Sequence, residues 1–177
     1  MRSIIMAVVV VFSIVSLGGT EMDKNMNKKI RIFNAATGQY EEVDKIERDD
    51  KEWQKILPQD QFCIIRQKGT ERPFTGKLLD NKKQGIYKCA ACGTDLFTSD
   101  TKFESGTGWP SFFQPVAKEN VGLKEDNTLG MRRVEVFCPR CGAHLGHVFD
   151  DGPPPTHQRF CINSAALKFT EIKKSEK

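Results

Sequence analysis

The residues with the clearest chemical potential are six cysteines, four of them in two matched units: Cys89-Ala90-Ala91-Cys92-Gly93 and Cys138-Pro139-Arg140-Cys141-Gly142. Each unit offers two thiols from one tight turn. Four thiolates from two such knuckles fill a tetrahedral zinc ion completely and leave no position for water or substrate, so the expected Zn2+ is structural, one per chain. The 45 residues between Cys92 and Cys138 exceed the usual zinc-ribbon interval, so a substantial insertion must sit between the knuckles. The alternative is a set of disulfides, because six cysteines make an even number and an exported chain meets an oxidising compartment.

Removing four ligands leaves Cys63 and Cys161. In an extended segment Arg159, Cys161 and Asn163 share one face, since side chains repeat every second residue. A cation beside a thiol favours the thiolate, which is the nucleophilic form, and Asn163 adds a hydrogen-bonding group there. Upstream, His144-Leu145-Gly146-His147 supplies two imidazoles, and Asp150-Asp151-Gly152-Pro153-Pro154-Pro155 makes a turn able to return that strand toward Cys161. With four cysteines filling the zinc site, both histidines are free for acid–base work. The blander alternatives are satisfied core histidines and a Cys161 that is a small buried hydrophobe. Between the knuckles, Ser105 to Phe113 pins Trp109 in a Gly- and Pro-rich turn, where a flat aromatic wall suits a methyl group on a polarised sulfur.

The elements that must hold these groups are mostly short β-type runs from Gly69 onward: 85–88, 96–97, 131–137, 147–149, 159–163 and 166–169. Lys118 to Gly130 reads as a polar loop. Two short helices precede them. Asp49-Asp50 caps 51–57, with Trp53, Ile56 and Leu57 on one face, and Pro58 starts a second helix through Arg66, with Phe62, Ile65 and Cys63 turned inward. Lys28–Phe33 and Tyr40–Val43 form a possible small hairpin. The architecture expected is a mainly β domain of antiparallel sheets with a helical N-terminal arm.

Residues 1–19 are a different material: Arg2, the apolar run Ile4 to Leu17, then Gly18-Gly19. They read as a signal peptide cleaved near Gly18, which predicts export, with an uncleaved membrane anchor as the alternative. Residues 20–50 are then a linker containing the hairpin, and 51–177 the domain. The chain is 38% apolar and 28% charged with a formal net charge of +4 spread along it, so no basic stripe points to nucleic acid.

Gly69-Thr70-Glu71-Arg72-Pro73-Phe74-Thr75-Gly76, the two knuckles, Ser105 to Phe112, His144 to Pro153 and Arg159 to Ala165 together resemble the methionine sulfoxide reductase B family over roughly 51–170. The resemblance implies the β-tent arrangement of two antiparallel sheets with zinc at one end. It implies reduction of the R epimer of protein-bound methionine sulfoxide, in repair of oxidative damage, by a monomer served by a thioredoxin-like dithiol. By the same resemblance Cys161 is the nucleophile, Trp109 and Phe112 contact substrate, and His144, His147, Arg159 and Asn163 surround the reacting sulfur, with His147 the first choice of acid.

Two departures stand out. Many members of that family carry a second thiol where this sequence has Thr107, so Cys63 becomes the candidate resolving cysteine. His157 stands where the family often has Gly. Competing classes are a zinc-knuckle binding module, which lacks its basic patch here, and a zinc hydrolase, which needs an open metal position.

Overall fold

A computed structural model describes residues 28–172; the expected signal segment lies outside the described residues. The strands run β1 Lys29–Asn34, β2 Gln39–Asp44, β3 Gly85–Cys89, β4 Asp95–Thr98, β5 Lys102–Phe103, β6 Ser111–Phe112, β7 Gly122–Asp126, β8 Arg133–Phe137, β9 His144–Phe149, β10 Arg159–Ile162 and β11 Leu167–Glu171. Helices α1 (Asp50–Ile56) and α2 (Gln59–Ile65) lie between β2 and β3. Two antiparallel sheets make the body: six strands in the order β5-β6-β10-β9-β8-β7, and three in the order β11-β3-β4. β1 and β2 form a separate hairpin.

Alternation along β10 explains both the core and the site. Phe160 and Ile162 are buried while Arg159 and Cys161 take the opposite face. Phe160 joins an aromatic stack that fills the space between the sheets: Phe97 of β4 lies over Phe112 of β6 at 4.4 Å, and Tyr87 of β3 meets Phe112 at 4.9 Å. Such pairs add roughly 0.5–1.5 kcal/mol each beyond the area they bury.

Asp49 caps α1 in a capping box with Glu52, and α2 buries Phe62, Ile64 and Ile65. Two expectations need correction. Ile56 is 52% exposed, while Trp53 and Leu57 on either side of it do pack inward. The expected loop at 118–130 contains β7, a polar edge strand paired along its length with β8, which carries no apolar alternation to betray it. The hairpin expected within residues 20–50 forms, and it is docked: fully buried Asn120 donates from Nδ2 to the carbonyls of Phe33 (2.8 Å) and Asp95 (2.6 Å) and accepts from the Phe33 N–H (2.8 Å). Ala35 N–H donates to the Asp95 carboxylate, and Ile46 N–H to the Arg140 carbonyl inside the second knuckle.

Asn120→Ala leaves those buried groups without partners. It is expected to lower unfolding free energy by about 2–3 kcal/mol in urea titrations; a loss below half a kcal/mol would show that Asn120 does not anchor the hairpin.

Candidate active site

The two knuckles fold alike. Gly93 N–H donates to the Cys89 carbonyl and Cys89 N–H to the Thr94 carbonyl, both at 2.8 Å; Gly142 N–H donates to Cys138 at 2.8 Å and Cys138 N–H to Ala143 at 2.9 Å. Gly93 and Gly142 have φ of +77° and +71°, a left-handed turn that glycine adopts without cost. All four sulfurs lie within 4.8 Å of one another, with Cys89–Cys141 at 3.7 Å and Cys92–Cys138 at 3.5 Å. A disulfide needs about 2.05 Å, whereas the edge of a tetrahedron with Zn–S bonds near 2.3 Å is roughly 3.8 Å. The donor set therefore fits a closed structural metal site. Hydrogen bonding within the cluster, with Cys138 first, and burial push the Cys89 and Cys141 thiols well above the ordinary thiol range while pulling Cys92 down, so four thiolates need a cation among them.

The second site is assembled by strand register. In the β9–β10 pairing His147 sits directly across from Cys161, and Ser111 of β6 faces Cys161 from the other side. Gly146 permits this, since a Cβ there would lie 2.0 Å from the Cys161 carbonyl oxygen. Cys161, His147, Asn163, Trp109, Thr70, Arg133, Gly146 and Phe149 enclose a pocket of about 160 Å³. Thr107 places its hydroxyl 4.0 Å from Cys161 Sγ, so the glycine turn reaches the thiol but brings no sulfur to it.

Each polar group is fixed from behind. Half-buried Trp109 donates from Nε1 to the Glu71 carbonyl at 3.1 Å. Buried Asn163 donates to the Leu145 carbonyl (3.0 Å) and accepts from Glu71 N–H (3.1 Å), while the Glu71 carboxylate accepts from the backbone N–H groups of Ser164 (2.6 Å) and Ala165 (3.0 Å). His147 Nε2 lies 2.7 Å from Asp126 Oδ2, which also accepts from Arg133 at 2.8 Å. The Thr128 hydroxyl and His147 together hold the Asp126 carboxyl well below the usual carboxylate range. Arg159 forms a two-pronged pair with Asp151 (2.8 and 2.9 Å) over the Phe149 ring.

Three sequence expectations change here. Phe112 does not face the pocket; it is fully buried in the aromatic stack and supports β6. His144 is 2% exposed behind the pocket, its Nδ1 2.9 Å from Glu135 and its ring edge-on to His147 at 5.5 Å, and burial lowers its pKa so that it stays neutral. The Cys161 thiol is pushed up, not down: burial outweighs the pull of Arg159, whose charge is shared with Asp151. His157, with φ of +58°, holds a left-handed turn position away from the pocket lining, where glycine fits without strain. Cys63 is half-buried on α2, its sulfur 3.5 Å from Gln59 Nε2 and out of contact with Cys161. Sequence reasoning missed Asp126, Arg133 and Phe149; Asp126 lay in the segment read as a loop, and no local pattern marks it.

The SelR domain family matches residues 57–171. The chain belongs to that family. It is 60% identical over 127 residues to the peptide methionine sulfoxide reductase MsrB of Methanosarcina mazei, covering 72% of this chain and 91% of that protein. It is 56% identical over 125 residues to the MsrB of Leptospira interrogans (71% and 95%) and 51% identical over 138 residues to that of Leifsonia xyli (77% and 96%). The SelR match takes in both knuckles and every residue of the pocket, while the β1–β2 hairpin and α1 precede it.

Arg159→Met removes the cation facing the thiol and should slow alkylation of Cys161 by iodoacetamide at neutral pH by roughly 3–10-fold. Asp151→Asn should speed it. Equal rates in all three proteins would mean that the guanidinium does not act on the thiol.

Proposed function

We propose that this protein reduces the R epimer of methionine sulfoxide in oxidised proteins and peptides, with Cys161 as nucleophile and one structural zinc in the four-cysteine site. The observation that carries the reading is the register of β9 and β10, which sets an imidazole across from a thiol inside a small pocket walled by Trp109.

The substrate methyl rests against Trp109 and its sulfur meets Cys161. Sγ attacks as the thiolate, forming a bond to the sulfoxide sulfur, while His147 protonates the oxygen. Asp126 accepts from His147 Nε2, which leaves Nδ1 as the nitrogen free to deliver that proton. Arg159 stabilises the thiolate as it forms. Asn163 positions the segment that follows the nucleophile, and neutral His144, tied to Glu135, positions the His147 ring.

The protonated oxygen then moves to Sγ as the S–O bond and the new Sγ–sulfur bond break, giving methionine and a sulfenic acid: the sulfoxide sulfur gains two electrons and Sγ loses two. Cys63 then attacks the sulfenic acid, forming a disulfide and releasing water, and a thioredoxin-like dithiol reopens it by exchange. Closure requires the end of α2 to shift. The Cys63 carbonyl already accepts from Gly69 N–H at 2.9 Å, one residue from pocket-lining Thr70, so the turn that follows α2 links Cys63 to the pocket wall. The ion, when bound, supplies a cross-link between the sheets and no reaction chemistry.

Residues 20–177, shown by elemental analysis to carry one zinc per chain, should consume only the R epimer of a racemic methionine sulfoxide peptide with dithiothreitol; Cys161→Ser should consume neither. With thioredoxin in place of dithiothreitol, Cys63→Ser should slow turnover at least about tenfold and abolish a Cys63–Cys161 disulfide seen by peptide mapping. Unchanged thioredoxin turnover in Cys63→Ser would show that an external thiol reduces the sulfenic acid directly.

A further inference from the structure

Phe74 is the most conspicuous residue that the proposed chemistry leaves unused. Its side chain is 68% exposed, and its backbone holds φ of +64°, a left-handed conformation that costs an L-residue with a bulky side chain about 1–2 kcal/mol. The surroundings enforce it. Phe74 N–H donates to the Gly108 carbonyl at 2.8 Å, and a Cβ on Gly108 would lie 2.7 Å from Pro73 Cβ and 2.9 Å from Phe74 N, so these two turns are fitted to one another. Three residues earlier, the Glu71 carbonyl accepts from Trp109 Nε1. The segment 71–74 is thus tied at both ends to the turn that carries Trp109.

A second cavity, of about 190 Å³, lies along this seam, with Phe74, Leu79, Phe103, Trp109 and Pro110 as its apolar lining. Trp109 walls both this cavity and the Cys161 pocket. The volume is below the roughly 300–1,000 Å³ of whole-ligand sites and suits one side chain. Two of the three charges around it are engaged: Lys102 Nζ donates to the Leu79 carbonyl at 2.6 Å, and Glu104 pairs with Lys82 at 2.9 Å, while exposed Asp80 adds a carboxylate to the lining. The apolar side chains of Phe74, Leu79, Phe103, Trp109 and Pro110 are what an apolar occupant would meet, and the Asp80 carboxylate selects against an acidic one.

We propose that Phe74 and this cavity form a subsite for an apolar side chain two residues away from the methionine sulfoxide in a polypeptide substrate. The inference rests on the reductase reading and adds a sequence preference to it. In an extended chain, side chains i and i+2 share a face and stand roughly 7 Å apart. With one in the Cys161 pocket, the other falls beyond Trp109, against Phe74.

The test compares kcat/KM, with dithiothreitol as reductant, for Ac-Leu-Gly-Met(O)-Gly-Leu-NH2, Ac-Gly-Leu-Met(O)-Leu-Gly-NH2, Ac-Gly-Gly-Met(O)-Gly-Gly-NH2 and N-acetylmethionine sulfoxide amide. The parent should favour the first peptide over the third by about fivefold, the worth of part of a leucine side chain, and favour the second by much less. Phe74→Ala should erase that preference, Phe74→Tyr should restore it, and the small amide should react equally with all three proteins. A parent indifferent to leucine at that spacing, or a preference that survives Phe74→Ala, would overturn the subsite while leaving the reductase reading intact. Failure of the parent to reduce even the small amide would remove both.

Discussion

Four sulfur atoms gathered within 4.8 Å are the constraint on which the rest of this molecule depends. Cys89 closes β3 of the three-stranded sheet, while Cys138 and Cys141 sit at the turn joining β8 to β9 of the six-stranded sheet. A cation there turns two sheets that otherwise meet through aromatic side chains into one frame, and its binding is folding free energy, because no such cluster exists in the unfolded chain. His144 and His147 follow Cys141 by three and six residues, so the imidazoles inherit their register from the knuckle. β10 reads that register and sets Cys161 across from His147. The hairpin that precedes the SelR match is hydrogen-bonded to the same end, through Asp95 beside the first knuckle and Arg140 within the second.

Charge in the site is arranged in two separate pairs. Asp126 pairs with Arg133 beside His147, and Asp151 pairs with Arg159 beside Cys161. Because Arg159 is shared and Cys161 is half-buried, the resting thiol is held above its ordinary ionisation range. A protonated thiol is a slow target for adventitious oxidants and alkylating agents.

Much of this was legible in the sequence because the signals are local. Two Cys-x-x-Cys-Gly turns announce their own geometry, and the alternation of Arg159, Phe160, Cys161 and Ile162 separates core from site. Trp109 sits in a turn that its glycines dictate. What escaped depends on pairing between distant strands. Asp126 belongs to a polar edge strand with no apolar period, and only its place opposite Arg133 reveals it. The direction of the Cys161 shift needed the burial of the thiol and the Asp151 partner of Arg159, neither of which spacing encodes. Phe112 was misplaced because, in a two-residue strand, the choice between pocket and core is made by the opposing sheet.

The central claim is that Cys161 itself takes the oxygen. A single-turnover experiment tests it most directly: equimolar protein and R-sulfoxide peptide with no reductant, trapping with dimedone, and tryptic mass spectrometry of Cys63→Ser beside the parent. The account predicts one methionine per chain and, in Cys63→Ser, a dimedone adduct confined to the peptide containing Cys161. Methionine formed without any adduct or disulfide at Cys161, or an adduct on one of the four knuckle cysteines, would contradict it.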